Sequence, residues 1–592
     1  MTKRMRLAAG VAVLALMGGQ AWADVTPEQV WQSWLDYYKA SGMTITEGGR
    51  SQQGDTLIVT DAVAQSAPIA AAEGSGTGTA SATIPQVSLR DMGDGKVEIT
   101  MADTMTFDFT GTNPDGKPTE AHGKIIQSGT KMIVSGTPEA MDYDITMPVM
   151  TVTLDEVKED GKPVPMTLSL ALNDSTGTYH VEQSAGQKLV AAMKSKTLDM
   201  TMKGSDPENG SALDFNWKVA DLAMDSTTLI PGDTTMADLG AALKAGLDVK
   251  GTMTFGPGDM TANFADKSEE GAGTGTLTGT DKGGSGSFAM SQAGLIYDMQ
   301  SNGGQASIKM DTLPFPIDYA FDKAAFGMTM PVAANPAPAP YGLRMEMGGL
   351  TLSEGIWSML DATKQLPRDP INLLIDLAGT ATVTADLFDT KTMAPENTEL
   401  PMTFETLDLK SVALSALGAS VTANGALKFL QPAPGAATGM QGMDGMSGMD
   451  GMSGMDGASG MTGMDGMSGT AGMDGMAGDK NQPEGMAGMD GMSGMSGMAG
   501  MEGAEAMDGM TAETPDMAEQ GVLPVGTIEA KASGINTLLD KLTAMGLIPE
   551  DQVQGVRMML ALFTKADGDD SLTSKIEFRE DGGIYANDQR IQ

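Results

Sequence analysis

Residues 97–109 read VEITMADTMTFDF, and this stretch decides the fold class. Its apolar residues stand at odd positions, and its charged and hydroxyl residues stand mainly at even positions. Alternation of this kind is typical of an antiparallel strand with one buried face and one wet face. The same period of two recurs in residues 198–203 and 380–387, and in most of the chain between residues 43 and 430. The sequence therefore predicts a mainly β protein.

The apolar positions of residues 143–154 change from odd to even numbers around Pro148. Because proline lacks a backbone N–H, we expect a bulge or an edge position there. Turn-forming clusters separate the predicted strands, and their spacing favours a chain of hairpins over parallel βαβ units. These clusters lie at residues 113–116, 159–161, 206–210 and 282–286.

A few short helices are predicted beside the strands. Thr26, Pro27 and Gln29 form a helix start, and apolar residues recur at helical spacing to about Ala40. Residues 355–361 match residues 534–540 in type at nearly every position. Each copy follows an alternating strand and precedes a second predicted helix and then another strand. The second helices are predicted at residues 370–377 and 549–563. A third, weaker unit of the same kind spans residues 234–255. Repeated units of this kind suggest an extended antiparallel sheet or groove-like β scaffold with a few short covering helices.

Composition excludes several classes of protein. The chain has 592 residues, with 77 acidic residues against 37 basic ones, and a formal net charge of −40. Phosphate binding requires clustered basic residues, so this acidity argues against nucleic acid as a partner. The chain has no cysteine, which excludes thiol nucleophiles, disulfides and thiolate zinc sites. Core packing alone must therefore hold the fold together.

Residues 1–23 are predicted to be a secretory signal peptide. Three basic residues precede an apolar run at residues 7–17, and a small-residue cleavage site follows at residues 21–23. The run is too short to cross a hydrocarbon core of about 30 Å as a helix. No later stretch reaches spanning length, so we expect an exported protein, in the periplasm, with no transmembrane segment after cleavage.

The composition changes completely in residues 431–518, which are predicted to be a disordered tract that interrupts the β protein. Residues 440–517 contain 20 of the chain's 52 methionines, in Gly-Met-Asp, Gly-Met-Ser and Gly-Met-Ala units. So much glycine with so little apolar bulk favours disorder. The predicted domains are the signal peptide (1–23), a β-rich body with an N-terminal helix (24–430), the tract (431–518) and a C-terminal unit that completes the β body (519–592).

The tract is the one predicted metal site. Thioether sulfur is a soft ligand that suits Cu(I), and methionines three residues apart in a flexible chain can converge. A plain solvated linker and a sacrificial sink for oxidants are the competing interpretations. The speculative Cu(I) ligands are Met440, Met443, Met446, Met449, Met452, Met455, Met486, Met489, Met492, Met495, Met498 and Met501. No other cofactor is predicted.

Three segments resemble binding motifs but fail in detail. Residues 111–117 have the spacing of a phosphate-binding loop, yet Pro118 stands where a hydroxyl is needed, so we expect a hairpin turn. Residues 284–289 resemble a dinucleotide fingerprint flanked by strands on both sides. Residues 567–571 begin like a calcium loop, but Leu572 replaces the required glycine.

The two histidines of the chain, His122 and His180, lie in no metal-ligand spacing, and nothing in the sequence positions a Ser-His-Asp site around either of them. We expect both to be surface or turn residues. No catalytic residue is predicted.

The C-terminal segments carry a family resemblance. Residues 534–540, 545–550, 558–560 and 581–587 resemble an uncharacterised domain-of-unknown-function family of exported Gram-negative bacterial proteins. A more distant similarity links the chain to AsmA-like envelope proteins. The resemblance implies an exported β-rich protein and no catalytic residues.

Three hypotheses of function follow. The first is an exported non-enzymatic protein whose β scaffold binds an apolar ligand or an envelope partner, since methionine on strand faces makes adaptable surfaces. The second is binding or buffering of Cu(I) in the periplasm by the tract. The third is a hydrolase with an unrecognised site. The sequence does not specify an oligomeric state.

Overall fold

The computed structural model describes residues 24–430 and 522–592, apart from short gaps at 68, 71–76, 114–115, 185, 207–208, 233–238, 268–272 and 389–400. The predicted signal peptide and the predicted tract at 431–518 lie outside the described residues. The chain divides into a unit of residues 1–429 and 524–592 and a second unit of residues 430–523. Nearly all described residues belong to the first unit.

The described residues are mainly β, as predicted, with 31 strands in one antiparallel sheet. The first half of the chain contributes β1 Met43–Thr46, β2 Gly49–Gln53, β3 Thr56–Ser66, β4 Ile69–Ala70, β5 Thr77–Asp91, β6 Val97–Met101, β7 Thr104–Thr112, β8 Pro118–Ser128, β9 Lys131–Thr137, β10 Ala140–Glu159, β11 Lys162–Val164, β12 Met166–Gln183, β13 Gly186–Ser205, β14 Ala212–Pro231, β15 Asp248–Phe255, β16 Gly258–Asp266, β17 Gly273–Asp281 and β18 Gly284–Ser291.

The remaining strands are β19 Gly294–Ser301, β20 Gly304–Met310, β21 Ile317–Phe321, β22 Lys323–Met330, β23 Asn335–Leu352, β24 Ile371–Val383, β25 Met402–Ala416, β26 Ala419–Leu430, β27 Leu523–Ser533, β28 Lys565–Ala566, β29 Ser571–Phe578, β30 Ile584–Ala586 and β31 Gln589–Arg590. The helices are α1 Pro27–Ala40, α2 Leu239–Ala245, α3 Glu354–Leu360, α4 Ile535–Ala544 and α5 Glu550–Phe563. No helix among the described residues has the length and apolar character needed to cross a membrane.

The sheet is a stack of rungs, each of which pairs with the rung before it and the rung after it. Some rungs are single strands, such as β10, β12, β13 and β14 in succession. Others are two strands end to end: β15 and β16 both pair with β14, and the next rung consists of β18 and β17. Three of the predicted turn clusters, at residues 113–116, 159–161 and 206–210, lie between strands that pair as hairpins. The cluster at residues 282–286 instead joins β17 to β18, which lie end to end in one rung and pair with other strands.

The breaks in the two-strand rungs line up across the sheet, and we call this line the seam. It crosses the rungs from β3 to β23. Three of the continuous rungs pass through it at an aspartate with a left-handed backbone: Asp61 (φ 49°) in β3, Asp174 (φ 50°) in β12 and Asp221 (φ 51°) in β14. Pro148 lies at the seam inside β10, opposite the break between β8 and β9, so its missing N–H faces no strand. The irregularity expected at Pro148 is thus one element of a sheet-wide feature.

The seam explains why apolar positions change from odd to even numbers along one strand. In β3, Val59 and Ala62 lie on either side of Asp61, yet both belong to the same buried cluster. In β3 the irregular residue Asp61 therefore returns the alternation to the same face. The apolar face of the sheet continues across the seam.

Helix α1 covers the apolar face of the first rungs. Thr26 and Gln29 form the predicted capping box, and Val30 and Trp31 are buried against the sheet. The Trp31 indole Nε1 donates a hydrogen bond to Glu47 Oε1 over 2.7 Å. The cluster below the helix comprises Val25, Leu57, Val59, Ala62, Val87, Leu89, Val97, Ile99, Met132, Val134, Met141, Tyr143, Val181 and Leu189.

The predicted helices agree with the structure except for one. Residues 355–361 and 534–540 fall on α3 and α4, and residues 549–563 fall on α5. The helix predicted at residues 370–377 is wrong, because these residues begin β24. Their short apolar run fits a helix or a buried strand equally well, and pairing of Ile375 with Met345 and Val412 on both sides selects the strand.

The loop between α3 and β24 is held by a buried carboxylate. Asp361 accepts hydrogen bonds from the backbone N–H groups of Gln365 (2.9 Å) and Leu366 (2.7 Å). The Arg368 guanidinium donates a third over 2.7 Å and lies 4.5 Å from the ring centroid of Trp357. The side chain of Asp361 has no exposed surface, so this network fixes the loop from inside.

Candidate functional site: a methionine ladder on the apolar face

A row of methionines crosses the rungs on the apolar face. Met193 of β13 pairs with Met224 of β14, which pairs with Met253 of β15. Beyond the gap at Gly286 of β18, Met299 of β19 pairs with Phe326 of β22, which pairs with Met345 of β23. Directly paired residues project from the same face of a sheet, so these side chains lie in one row with an open position at Gly286. We call Met193, Met224, Met253, Met299, Phe326 and Met345 the methionine ladder.

Much of the ladder is open to solvent. The exposed fractions are 46% for Met224, 41% for Met253, 37% for Phe326 and 41% for Met345. At a strand spacing of about 4.8 Å, the row from Met224 to Met345 is about 24 Å long. A contiguous exposed apolar surface on a folded protein marks a place of interaction.

At its Met193 end, the ladder continues a row that starts under helix α1. That row includes Met132, which belongs to the cluster under the helix, and Ile145, which packs against this cluster. Tyr143 and Tyr179 lie beside this end in T-shaped contact, with ring centroids 5.6 Å apart. Burial raises the pKa of both phenols, and nearby tyrosines raise the pKa of Tyr179 further. Both therefore stay uncharged, which keeps this end of the face apolar.

Further apolar rows lie on either side of the ladder. Toward α2, Val249, Met290, Leu295 and Met330 pack against the second buried cluster, which is formed by Ile230, Ala242, Leu243, Leu247 and Val332. Across the seam runs a row of Val152, Leu170, Met200, Trp217 and Met260, each paired with the next. The ladder thus lies in the middle of a broad apolar face.

The opposite face of the same rungs is mixed, since exposed apolar side chains such as Val190 (38%) and Ile296 (48%) lie among its charged residues. It carries an open cavity of about 710 Å³, whose charged lining includes Asp142, Asp144, His180, Asp225 and Lys250. His180 Nδ1 lies 2.7 Å from Asp142 Oδ1. The ladder face of the central rungs therefore presents mainly thioether and hydrocarbon, whereas the opposite face combines carboxylate and hydroxyl groups with exposed apolar side chains.

Both histidines are half-exposed and lie within strands, not in turns. His122 Nδ1 lies 2.6 Å from Asp108 Oδ1, directly across from it on β7. Among the described residues, no serine or threonine hydroxyl hydrogen-bonds to either ring, and no cluster of three His, Asp or Glu side chains is arranged to hold a metal ion. The two histidines act as cross-strand partners of aspartates.

The three rejected motifs lie in structural turns and strands. Within the described residues of 111–117, Asn113 accepts a hydrogen bond from Gly116 N–H in the connection between β7 and β8. Residues 284–289 are the first part of β18. In the segment that resembles a calcium loop, Asp570 accepts hydrogen bonds from the N–H groups of Asn536 and Thr537, at the start of α4. It therefore helps to cap that helix.

No protein-family model, curated protein or solved structure matches the chain. The twelve tract methionines predicted as Cu(I) ligands, from Met440 to Met501, lie outside the described residues, so copper binding by the tract stays a prediction. The geometry of the methionine ladder therefore carries the functional argument.

Sequence reasoning indicated methionine on strand faces but did not pick out the ladder. Met193, Met224 and Met253 lie about thirty residues apart, and only the register of their strands brings them side by side. Alternation reveals which face a residue occupies, but not which residue it meets on the next strand.

Proposed function

We propose that this protein is an exported, non-enzymatic binding protein that holds the acyl chain of an apolar ligand along the methionine ladder. The observation that carries the proposal is the row of directly paired residues from Met224 to Met345, in which Met224, Met253, Phe326 and Met345 are exposed and Gly286 leaves one open position. An acyl chain laid across the strands would cover them and remove their surface from water, at about 25 cal/mol for each Å².

The dimensions and chemistry of the row support a lipid-like ligand. Half of a hydrocarbon core of about 30 Å corresponds to one acyl chain of about 15 Å, which is shorter than the ladder's exposed part. Thioether side chains are flexible and polarizable, so they adapt to chains of differing length and unsaturation. The resemblance to AsmA-like envelope proteins, which present long β grooves to lipids, supports the same proposal.

A charge placed on the ladder is expected to weaken acyl-chain binding. Met253→Asp should lower the affinity for a fluorescent long-chain fatty acid by about tenfold or more, which is about 1.4 kcal/mol, because a carboxylate would lie unpaired beneath the chain. Fluorescence titration of the full-length protein measures this affinity.

Met92→Asp is the matched control. Met92 has the same exposed fraction as Met253, 41%, but it lies in the β5–β6 connection, away from the ladder. The Met92→Asp variant should bind the fatty acid with the same affinity as the unaltered protein. Equal affinities for Met253→Asp and Met92→Asp would contradict the proposal. Lipid extraction and mass spectrometry of protein purified from its native compartment should, in addition, yield an acyl-bearing molecule.

A further inference from the structure

Helix α5 presents an exposed apolar face. Met558 (73%) and Met559 (62%) are the two most exposed large apolar residues in the described part of the chain, and Leu562 is 51% exposed. Together with Gly555 they have the spacing i, i+3, i+4 and i+7, so the four residues lie on one side of the helix. We call Gly555, Met558, Met559 and Leu562 the α5 face. On the opposite side of the helix, Val553 is buried and anchors α5 to the protein.

Gly555 makes an opening in the middle of this face. A Cβ placed on Gly555 would meet no atom within 4 Å, so no neighbour in the described part of the chain requires a glycine there. Glycine in the interior of a helix is less stable than alanine, but it allows another backbone or side chain to approach closely. The α5 face therefore combines protruding methionines with an open position one turn away.

We propose that the α5 face binds the α5 face of a second copy of this chain, with the two helices antiparallel. A two-fold interface requires a surface that is complementary to itself. With the two-fold axis at residue 557, Met559 of each copy lies over Gly555 of the other. Methionine side chains are flexible, so they can fill the opening that glycine leaves.

The charges at the two ends of α5 favour the antiparallel order. Glu550 and Asp551 lie in the first turn, and Lys565, with a side chain that is 63% exposed, follows the last turn. In the antiparallel pair, Lys565 of each copy comes beside Glu550 of the other, whereas a parallel pair would bring like charges together. Residues 552–563 contain no acidic residue, so the apolar contact brings no carboxylates together despite the net charge of −40.

The oligomeric state of the full-length protein tests the proposal. One helix from each copy makes a small interface, so the dimer should form at about 1–100 µM, as transient complexes do. Sedimentation at an ionic strength of about 0.15 M, where the net charge is screened beyond about 8 Å, should show the mass rising from one copy to two. A mass of one copy throughout this range would overturn the proposal. So would a single copy that binds phosphatidylcholine vesicles, because the α5 face would then be a membrane contact.

A charge on the α5 face should separate the two copies. Met559→Asp should raise the dissociation constant of the dimer by about tenfold or more, because it places a carboxylate in an apolar contact. Met359→Asp is the matched control, since Met359 is 57% exposed and also lies on a helix, α3. It should leave the dissociation constant unchanged. Equal effects of the two substitutions would contradict an interface on α5.

Gly555→Leu tests the opening itself. Leucine favours the helix more than glycine does, and the position has room for it, so the folded single copy should be at least as stable. The added side chain would occupy the place of Met559 from the second copy, so the dimer should weaken by about tenfold or more. A dimer that is unchanged or strengthened by Gly555→Leu would rule out the predicted contact.

A charge exchange tests the antiparallel order. Lys565→Glu should weaken the dimer by about threefold, because it affects two symmetry-related surface ion pairs. Glu550→Lys combined with Lys565→Glu should restore the affinity, since the exchanged charges again face each other. If the double variant binds no better than Lys565→Glu alone, the two helices do not pair in this order.

Discussion

Trp31→Ala is expected to destabilise the first rungs of the sheet by about 3–5 kcal/mol, the usual cost of removing a large buried aromatic side chain. Trp31 is 1% exposed, and its ring fills the space between α1 and the cluster on β3, β5 and β10. Each rung contacts mainly its neighbours, so the loss should be local. Hydrogen exchange should accelerate in β3 and β5 and stay unchanged in β24 and β25.

Two further variants separate packing from hydrogen bonding at Trp31. Trp31→Phe keeps one aromatic ring but removes the donor to Glu47 Oε1 together with part of the buried ring, so it should cost less than Trp31→Ala and more than a hydrogen bond alone, which contributes about 1 kcal/mol. Trp34→Ala removes the same type of side chain from the same helix at a partly exposed position, and its effect should be smaller. If Trp34→Ala is as damaging as Trp31→Ala, the greater burial of Trp31 does not determine the loss, since alanine favours the helix at both positions.

Asp361→Asn is expected to lower the thermal unfolding midpoint of the α3–β24 region strongly at neutral pH. The carboxylate accepts hydrogen bonds from Gln365 N–H, Leu366 N–H and Arg368. An amide places a donor against one of these donors and leaves the Arg368 charge without its partner. Limited proteolysis at residues 361–370 measures the release of this loop.

The loss of stability caused by Asp361→Asn should decrease as the pH falls. Burial alone would raise the pKa of Asp361, but the Arg368 guanidinium and the two backbone N–H groups hold this pKa well below its ordinary value. The carboxylate therefore stabilises the folded state above the unfolded pKa of about 4, and this contribution is lost as the pH falls further. The difference between the unaltered protein and the variant should shrink below about pH 4.

Glu182→Gln is the control for this pH dependence. Glu182 forms an exposed ion pair with Lys188 at 3.7 Å, and such pairs contribute about 0–1 kcal/mol. Its substitution should change the midpoint little at any pH between 3 and 7, a range that spans the carboxyl titration. A pH profile for Asp361→Asn that matches that of Glu182→Gln would show that the buried network does not stabilise the loop.

Local patterns predicted the elements of the fold well. The alternation in residues 97–109 became β6 and β7, and the capping box at Thr26 became the start of α1. Residues 370–377 were predicted wrongly, because a short apolar run contains no information about the strands on either side of it. The phase change at Pro148 was visible, but its recurrence in the neighbouring rungs was not, since the irregular residue is an aspartate in β3, β12 and β14 and a break between two strands in other rungs.

The candidate site was less accessible to sequence reasoning than the fold. Met224, Met253 and Met299 are separated by tens of residues, and their alignment in one row depends on the register of β14, β15, β18 and β19. Gly286 carries no local signal that distinguishes it from the other glycines of its segment. The space above it is bordered by Met253 and Met299, which is a property of three strands together.

The seam also limits aggregation. An exposed sheet edge is a template on which another chain can add a strand, and a long, regular edge is the most dangerous kind. Here the outermost rung consists of β1 and β2, of four and five residues, interrupted between them where the seam begins. A foreign strand without an irregular residue at the same position can pair with only one of these short pieces. The irregularity that keeps the apolar face continuous thus also protects the end of a very long sheet from uncontrolled growth.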